Sequence, residues 1–207
     1  MKLFELHRDD VNFELSVNPN FLRRLWANTA ALSTEVSALG EVGWNEDQSE
    51  IVIPDVLHMF KQRASGGGVH LDMDAVGDFL LDRAEKGEGS GKVRLWWHSH
   101  VDMAVFWSGT DEDNMARMFE MLGEPFVSVV TNHDGESRWR IYAQGREFNG
   151  FARLGDLEPT VEEIGSARHL LKEYVHEEYR APFWGGRGRK GKKRWGGLGF
   201  REERGGK

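Results

Sequence analysis

The chain contains no cysteine among its 207 residues. Disulfide bonds, thiolate zinc ligands and a cysteine nucleophile are therefore all excluded. The absence of cysteine is also compatible with a reducing environment, and we expect the protein to be cytoplasmic.

Long apolar runs are missing as well. No stretch approaches the roughly 20 apolar residues that a membrane-spanning helix needs. The N-terminal segment Met-Lys-Leu-Phe-Glu-Leu-His-Arg does not have the pattern of a signal peptide. We therefore expect no membrane partner, and the length suits one domain or one domain with an appendage.

Charge is unevenly distributed along the chain. The formal net charge is −7, but residues 180–207 contain ten Lys and Arg against two Glu, a balance of +8. The remainder therefore carries −15. The basic segment also contains nine glycines, a composition that argues against a packed core there. We predict a disordered, Gly/Arg/Lys-rich basic tail over residues 182–207.

The cations of this tail are interleaved with Trp184, Trp195 and Phe200. Cations and aromatic rings in such an arrangement resemble Arg/Gly-rich segments, which bind nucleic acid by charge and by stacking. Residues 183–207 are therefore a candidate contact for nucleic acid or another anionic partner. The alternative is a solvated tail that could fold back onto the acidic body.

The residues that carry chemistry lie in Leu95-Trp-Trp-His98-Ser-His100 and in the segment that runs on to Ser108 and Asp111. Two histidines two positions apart on a strand point to the same face. A carboxylate thirteen positions after the first histidine completes a set of two nitrogen ligands and one oxygen ligand. Such a set, with a fourth position left for water, is typical of catalytic zinc. The sequence thus predicts a Zn²⁺ site at His98, His100 and Asp111, with Ser108 placed to donate to an oxyanion.

The spacing His98-x-His100-x7-Ser108-x2-Asp111 resembles the signature of the JAMM (MPN+, JAB domain) zinc metalloproteases. That family includes deubiquitinating isopeptidases and their prokaryotic and phage relatives. Its general acid/base is a glutamate in an earlier Glu-Val-x-Ala/Gly-Leu context, and Glu35 stands in the matching run Glu-Val-Ser-Ala-Leu. The resemblance thus implies a metalloprotease with Glu35 and Ser108 as its catalytic residues.

The resemblance covers about residues 20 to 145 and implies an MPN/JAB-like fold. In class it is α/β, of the α+β type, with a mixed β-sheet flanked by helices. We predict this domain over residues 1–155 and a C-terminal helix over residues 156–181, which a capping box at Thr160 opens. The basic tail follows over residues 182–207.

The resemblance also implies a reaction. The protein would hydrolyse a peptide or isopeptide bond after the Gly-Gly-like tail of a ubiquitin-like protein, with water on the zinc as the nucleophile. Glu35 would take the proton of that water and deliver it to the leaving amine, while Ser108 steadies the oxyanion. Glu41 shares the strand parity of Glu35 and stays the rival candidate for the base.

Two departures from the family pattern leave the substrate open. Val101 and Trp107 stand where the family often has proline. Asp102, the next residue, adds a carboxylate that could compete for the metal. Phe106 and Trp107 form an aromatic pair, which suggests a more apolar substrate contact.

Two other functions stay open. The first is a JAMM-like hydrolase that processes a structural protein during phage or bacterial assembly. The second belongs to a different class: an MPN-type platform without chemistry, in which the basic tail binds nucleic acid. The presence of all five chemical positions argues against the platform.

The remaining pattern predicts the elements around the motif. The segment over residues 57–71 contains a glycine triplet and no periodicity, so that it is either a substrate flap or a plain connector. The other predicted elements are a strand over 11–17, a helix from Pro19, a hairpin of 35–44 with 50–56, a helix over 72–84, a helix from Asn114, and strands over 126–130 and 137–143.

Overall fold

The structure is a computed structural model that describes residues 1–8, 11–65 and 67–177. Within these ranges four α-helices flank several mixed sheets, which confirms the α+β class. No helix in the described ranges is long and apolar enough to cross a membrane. The helices are α1 (Pro19–Ala31), α2 (Met73–Glu85), α3 (Gly109–Leu122) and α4 (Val161–Leu171). The strands are β1 (Lys2–Arg8), β2 (Val11–Val17), β3 (Ser37–Glu41), β4 (Gly43–Trp44), β5 (Glu50–Ile53), β6 (Leu57–His58), β7 (Gln62–Ser65), β8 (Gly68–Leu71), β9 (Val93–Ser99), β10 (Phe126–Thr131), β11 (Glu136–Ala143), β12 (Arg146–Arg153) and β13 (Val175–Glu177).

The central sheet has six strands in the order β12-β11-β10-β9-β3-β6. β9 and β10 are parallel, whereas the other neighbouring strands are antiparallel. β9, which precedes the second histidine of the motif, is hydrogen-bonded on both sides and lies inside the sheet. Its residues Leu95 and Trp97 are fully buried, as the parity of the strand predicts. A strand held on both sides keeps its side chains in fixed directions.

Two hydrophobic clusters cover the central sheet on opposite faces. The larger cluster packs α1 and the four-stranded sheet β1-β2-β5-β4 against the residues of β9 and β10 that point to one side. The smaller cluster packs α2 and α3 against Trp96 and Phe126, whose side chains point to the other side. The predicted start of α1 is confirmed, because Asn18 caps the helix and Pro19 is its first residue.

The predicted strand over 35–44 is divided in the structure. β3 joins the central sheet between β9 and β6, while β4 pairs with β5, so that the predicted hairpin is right only for β4 and β5. The register of β3 against β9 shifts between Gly40 and Glu41. Val42 then donates to the carbonyl of Lys92, and the chain passes from one sheet to the other at this residue.

Residues 57–71 contain strands rather than the unstructured loop that the sequence suggested. β7 and β8 form an antiparallel hairpin, and β13 adds to β7 in parallel, giving a third sheet in the order β13-β7-β8. Each strand has four residues or fewer. Strands this short carry too few alternating positions to give a periodic signal, and the partner β13 comes from a distant part of the chain.

The last helix is shorter than predicted. The capping box at Thr160 is present, but α4 begins at Val161 and ends at Leu171, whereas the predicted helix covered residues 156–181. The carbonyl of Tyr174 accepts from the backbone of Gln62, and Val175 begins β13. Pairing with β7 therefore replaces continuation of the helix. The predicted basic tail over 182–207 lies outside the described residues.

A glycine at the β10–β11 turn offers a test of the packing. Gly135 has φ of +69°, and a Cβ there would lie 2.5 Å from the Trp26 ring. Gly145 has the same φ of +69° with no atom within 4 Å of a Cβ. We expect Gly145→Ala to lower the free energy of unfolding by about 1 kcal/mol through backbone strain. Gly135→Ala should cost about 1–3 kcal/mol more because of the clash. Equal denaturation midpoints for the two variants would contradict this packing.

Candidate metal centre

The first two candidate ligands are positioned by the end of β9. His98 lies opposite Ser37 of β3 and Val130 of β10, so its backbone is fixed on both sides. His100 follows the strand, and its backbone donates to the carbonyl of Thr131 at 2.8 Å. Because of the hydrogen bond to Thr131, the alternating side-chain directions of β9 continue to His100. The two imidazoles therefore point to the same side, as the spacing predicts.

The third candidate ligand comes from the first turn of α3. The sequence suggested a turn over 109–113 and a helix from Asn114, but α3 begins at Gly109. Ser108 is the N-cap, and Asp111 completes a capping box by accepting from the Ser108 backbone at 2.7 Å. The cap therefore fixes the direction of the Asp111 carboxylate, because a side-chain oxygen that accepts a hydrogen bond from the N-cap backbone cannot rotate freely.

His98, His100 and Asp111 meet in one buried cluster. Their relative exposures are 1 %, 3 % and 8 %. The two Nε2 atoms lie 3.2 Å apart, and the Asp111 carboxylate oxygens lie 3.3 Å from Nε2 of His98 and 3.6 Å from Nε2 of His100. One ligand atom from each residue lies within 4.8 Å of the others. This buried group could hold a metal ion.

The chemistry of the cluster fits a cation. Nδ1 of His100 lies 3.0 Å from the carbonyl of Ala104, and that bond requires a proton on Nδ1. Nε2 of neutral His100 therefore presents a lone pair to the other two side chains. Nδ1 of His98 is buried without a partner in the described residues. Acceptors converging in a dry site are stabilised by shared positive charge.

The pKa directions of His100 and Asp111 show the same demand for positive charge, whereas that of His98 shows the cost of burial. Burial lowers the pKa of His98. Burial also opposes charge on His100, but hydrogen bonds to Asp111 and the Ala104 carbonyl outweigh it and raise its pKa. Burial would raise the pKa of Asp111, yet hydrogen bonds from the two histidines hold it well below its usual range. Without a metal, a proton can supply this charge.

Aromatic rings enclose the cluster. The ring of Trp96 stacks on His98 with centroids 4.6 Å apart, and Phe106 packs edge-on against His100 at 4.8 Å. Trp107 lies near His98, with 5.9 Å between the ring centroids. Packing of this kind keeps the imidazoles in single orientations and excludes water from one side of the site.

Glu35 lies in the same cleft as His100 and Asp111. Glu35 is only 5 % exposed, and burial raises the pKa of its carboxyl group to about 7. The charge of His100 opposes this rise, and the charge of Asp111 adds to it. A carboxyl group with a pKa in this range can both accept and donate a proton near neutral pH.

Two neighbouring segments hold the backbone on either side of Glu35. Its N–H donates to the carbonyl of Ser65 at 3.0 Å. The side chain of Gln62 accepts from the Ser37 N–H at 2.8 Å and donates to the Ser37 carbonyl at 2.9 Å. Val36 donates to the hydroxyl of Ser99 at 3.0 Å. The segment before β3 is thus fixed by β7 on one side and β9 on the other.

The rival acid/base candidate lies elsewhere. Glu41 accepts from Arg83 at 2.8 Å and lies 3.4 Å from His58. It does not line the cleft that contains Glu35. Asp102, the carboxylate that could have competed for the metal, is 87 % exposed at its side chain and pairs with His133 instead. Neither carboxylate joins the ligand cluster.

The cleft beside the ligand cluster is small. Its volume is about 260 Å³. One wall is formed by Gly67 and by the first residues of β8, which are Gly68, Val69 and His70. A larger groove of about 650 Å³ lies between α1 and α4, but it holds ion pairs such as Arg24–Asp55 and none of the ligand residues. The cleft is lined by Glu35, Gly67, Gly68, Val69, His70, Trp96, His100, Met103, Phe106, Ser108, Thr110, Asp111 and Asn114.

Three polar contributors to the site carried no signal in the sequence. They are the Ala104 carbonyl, the Gln62 amide and the His133 ring, which bonds the loop that follows His100. Each acts through a contact with a residue from another element or through its backbone. His133 lies in the run Asn132-His-Asp-Gly135, and no local pattern distinguishes it from an ordinary turn residue.

Comparison with known proteins assigns no family. No protein-family model matches the chain, and no curated protein matches it. The geometry of the cluster and the spacing of its residues are therefore the basis for assigning a function.

The capping role of Asp111 allows its ligand role to be tested separately. Asp111→Asn retains an oxygen that can accept from the Ser108 backbone. We therefore expect the free energy of unfolding of the metal-free variant to lie within about 1 kcal/mol of that of the parent. Loss of the carboxylate charge should weaken zinc binding by at least about tenfold. Chelator competition measures the affinity, and Asp113→Asn, an exposed change in the same helical turn, is the control. Unchanged zinc affinity in Asp111→Asn would exclude this ligand.

Proposed function

We propose that this protein is a zinc-dependent metallopeptidase or isopeptidase of the JAMM type. The observation that carries the proposal is the convergence of His98, His100 and Asp111 with Glu35 at one small cleft. Two imidazoles and one carboxylate are a ligand set of catalytic rather than structural zinc. A separate buried carboxyl group beside them is the remaining requirement of a hydrolase.

His98, His100 and Asp111 would hold the ion through Nε2, Nε2 and the carboxylate. A zinc ion in such a site supplies Lewis-acid polarisation of a carbonyl and makes water nucleophilic near neutral pH. The Ala104 carbonyl keeps His100 in the tautomer whose Nε2 is a ligand.

Glu35 is the proton carrier in this proposal. It lines the cleft, is buried, and has a pKa that burial raises to about 7. The carboxylate form takes a proton from the attacking water, and the acid form returns it to the leaving amine. Its backbone N–H donates to the Ser65 carbonyl, so the start of the side chain is fixed relative to the cleft.

Ser108 is the oxyanion donor in this proposal. Its Oγ accepts from the Asp111 N–H at 3.2 Å, and its hydroxyl also hydrogen-bonds the Asp111 carboxylate. Binding of a cation by that carboxylate would leave the hydroxyl hydrogen available to donate. The residue lines the cleft. A donor fixed by a helix cap is preorganised, so its dipole stabilises developing negative charge without reorganisation.

The cleft favours a narrow substrate. A volume of about 260 Å³ lies below the range usual for small-molecule sites, which suits a segment of small residues such as Gly-Gly. β8 is the outer strand of its sheet within the described residues and borders the cleft. An extended tail could add to that edge through backbone hydrogen bonds. We therefore propose the Gly-Gly-like tail of a ubiquitin-like protein as the substrate.

The basic segment has no part in this mechanism. Contact between nucleic acid and residues 183–207 stays a prediction, because those residues lie outside the described part of the chain. Deleting 183–207 would separate the two roles: reduced binding of nucleic acid with intact hydrolysis is expected.

The acid/base assignment predicts a separation of metal content from activity. We expect Glu35→Gln to retain about one zinc per chain. Its hydrolysis of a Gly-Gly-linked ubiquitin-like fusion should fall by about 10²–10⁴-fold, because the proton carrier is lost. Elemental analysis and single-turnover cleavage measure the two quantities.

Glu41→Gln discriminates the rival base in the same assays. Its carboxylate pairs with Arg83 outside the cleft, so cleavage should persist. Activity lost in Glu41→Gln but retained in Glu35→Gln would reverse the assignment. A parent protein that takes up no zinc would remove the enzyme proposal and favour the platform.

The two roles of Ser108 can be separated with a second helix cap. We expect Ser108→Ala to lower the free energy of unfolding by about 1 kcal/mol through the lost cap. Its rate of hydrolysis should fall by about 10²–10³-fold through the lost oxyanion donor. Thr160 forms an equivalent capping box on α4, away from the cleft. Thr160→Ala should show the same loss of stability with full activity; a matching loss of activity would assign the Ser108 effect to folding alone.

A further inference from the structure

The chain turns sharply just after the second histidine ligand. Met103 donates to the His100 carbonyl at 2.8 Å, so Val101 and Asp102 are the central residues of a tight turn. Val101 has φ of +44°. A β-branched residue is strained in this left-handed region, so the surrounding structure must hold the turn in place.

The residue at position 101 of this turn also differs from the proline that is frequent in the JAMM family. A proline at position 101 would restrict φ to about −65°, whereas Val101 has φ of +44°. The direction of the chain after His100 is therefore set by other means in this protein.

Both central residues of the turn bond to His133. The His133 N–H donates to the Val101 carbonyl at 2.9 Å, and Nδ1 of its ring lies 2.8 Å from Oδ1 of Asp102. The neighbouring Asn132 donates from its amide to the Met103 carbonyl at 3.2 Å. The turn between β10 and β11 thus holds three successive residues of the turn after His100.

The other side of the His133 ring is fixed to the end of α1. Nε2 lies 2.9 Å from the Thr29 carbonyl and 3.2 Å from the Leu32 carbonyl. These carbonyls end a helix and lack helical partners. The indole of Trp26 donates to the His133 carbonyl at 3.2 Å. Acceptors lie at both ring nitrogens, so a His133 ring that carries a proton on each nitrogen bridges α1 and the turn.

The position of the Val101–Asp102 turn determines a hydrogen bond of His100, one of the candidate ligands. Ala104 follows the turn directly, and its carbonyl lies 3.0 Å from Nδ1 of His100. The position of that carbonyl depends on the path of residues 101–103. The outer partners of histidine ligands fix the tautomer and the ring orientation, and their loss weakens metal binding.

We propose that His133 is a positioning residue of the metal centre. It ties the Val101–Asp102 turn to the end of α1 and so places the Ala104 carbonyl that orients His100. The proposal rests on the metal-binding role of His100 given above. Since the Asp102 side chain is 87 % exposed, its contact with His133 contributes little as an attraction, and its effect is geometric.

The first test is zinc affinity in the full-length protein. We expect His133→Ala and Asp102→Ala to weaken zinc binding by about tenfold in chelator competition. Asp134→Ala is the matched control, because it removes the same charge from an exposed neighbour of His133. It should bind zinc within about twofold of the parent. Raising the salt concentration should leave the Asp102→Ala loss unchanged, because a geometric effect is not screened.

The second test follows the geometry directly. Co²⁺ added in place of zinc should give a different visible spectrum in His133→Ala, while Asp134→Ala keeps that of the parent. In the metal-free protein, ring ¹⁵N spectra should show a proton on Nδ1 of His100, where the Ala104 carbonyl accepts. His133→Ala should shift His100 towards a mixture of tautomers. A variant that had merely lost stability but stayed folded would change neither signal.

The outcomes separate this proposal from the proposed enzyme. Parental zinc affinity, cobalt spectrum and His100 tautomer in His133→Ala would overturn the positioning role even if the protein is an active hydrolase. If the parent binds no zinc, the enzyme proposal fails, and the tautomer of His100 alone decides whether His133 positions it. If His133→Ala does not fold, the same measurements on Asp102→Ala decide.

Discussion

Three groups that accept protons converge at a buried point of this molecule, beside the cleft. The Nε2 atoms of His98 and His100 lie 3.2 Å apart beside the carboxylate of Asp111, and all three residues are buried. Such an arrangement is unfavourable unless positive charge is shared among the groups. Trp96 and Phe106 pack against the imidazoles, and these contacts oppose rotation of the rings away from the cluster. In the proposed function, a cation would meet the demand for positive charge.

The same demand explains why the site is assembled from elements that hold one another. β9 supplies the histidines and is fixed on both sides within the central sheet. The helix cap of α3 directs the Asp111 carboxylate, and β7 holds the backbone of Glu35. The backbones of the functional residues are thus fixed by hydrogen bonds, and the side chains of His100 and Asp111 are directed by further bonds to backbone groups. Rigid placement lowers the cost of ordering the groups for reaction.

Local patterns predicted a large part of this arrangement. The parity of β9, the Asn18 cap of α1 and the capping box of α4 depend on residues close in sequence, so the sequence shows them directly. The β13-β7-β8 sheet could not be predicted, since β13 and β7 are far apart in the chain. Glu35 and Glu41 share a parity, and what separates them is a contact with Arg83 from α2, forty-two positions after Glu41. The MPN/JAB form of the fold stays a prediction.

Enclosure acts on Glu35 in two opposite ways. Burial raises its pKa to about 7, because a charge is poorly solvated in the cleft. The same enclosure lowers the local dielectric and strengthens the pull of any cation held by His100 and Asp111, which favours the charged carboxylate. In the proposed reaction, the first effect would favour Glu35 as an acid, and the second would favour it as a base. A solvent-exposed carboxylate would experience neither effect strongly, so the depth of Glu35 beside the ligands is itself a requirement of the proposed chemistry.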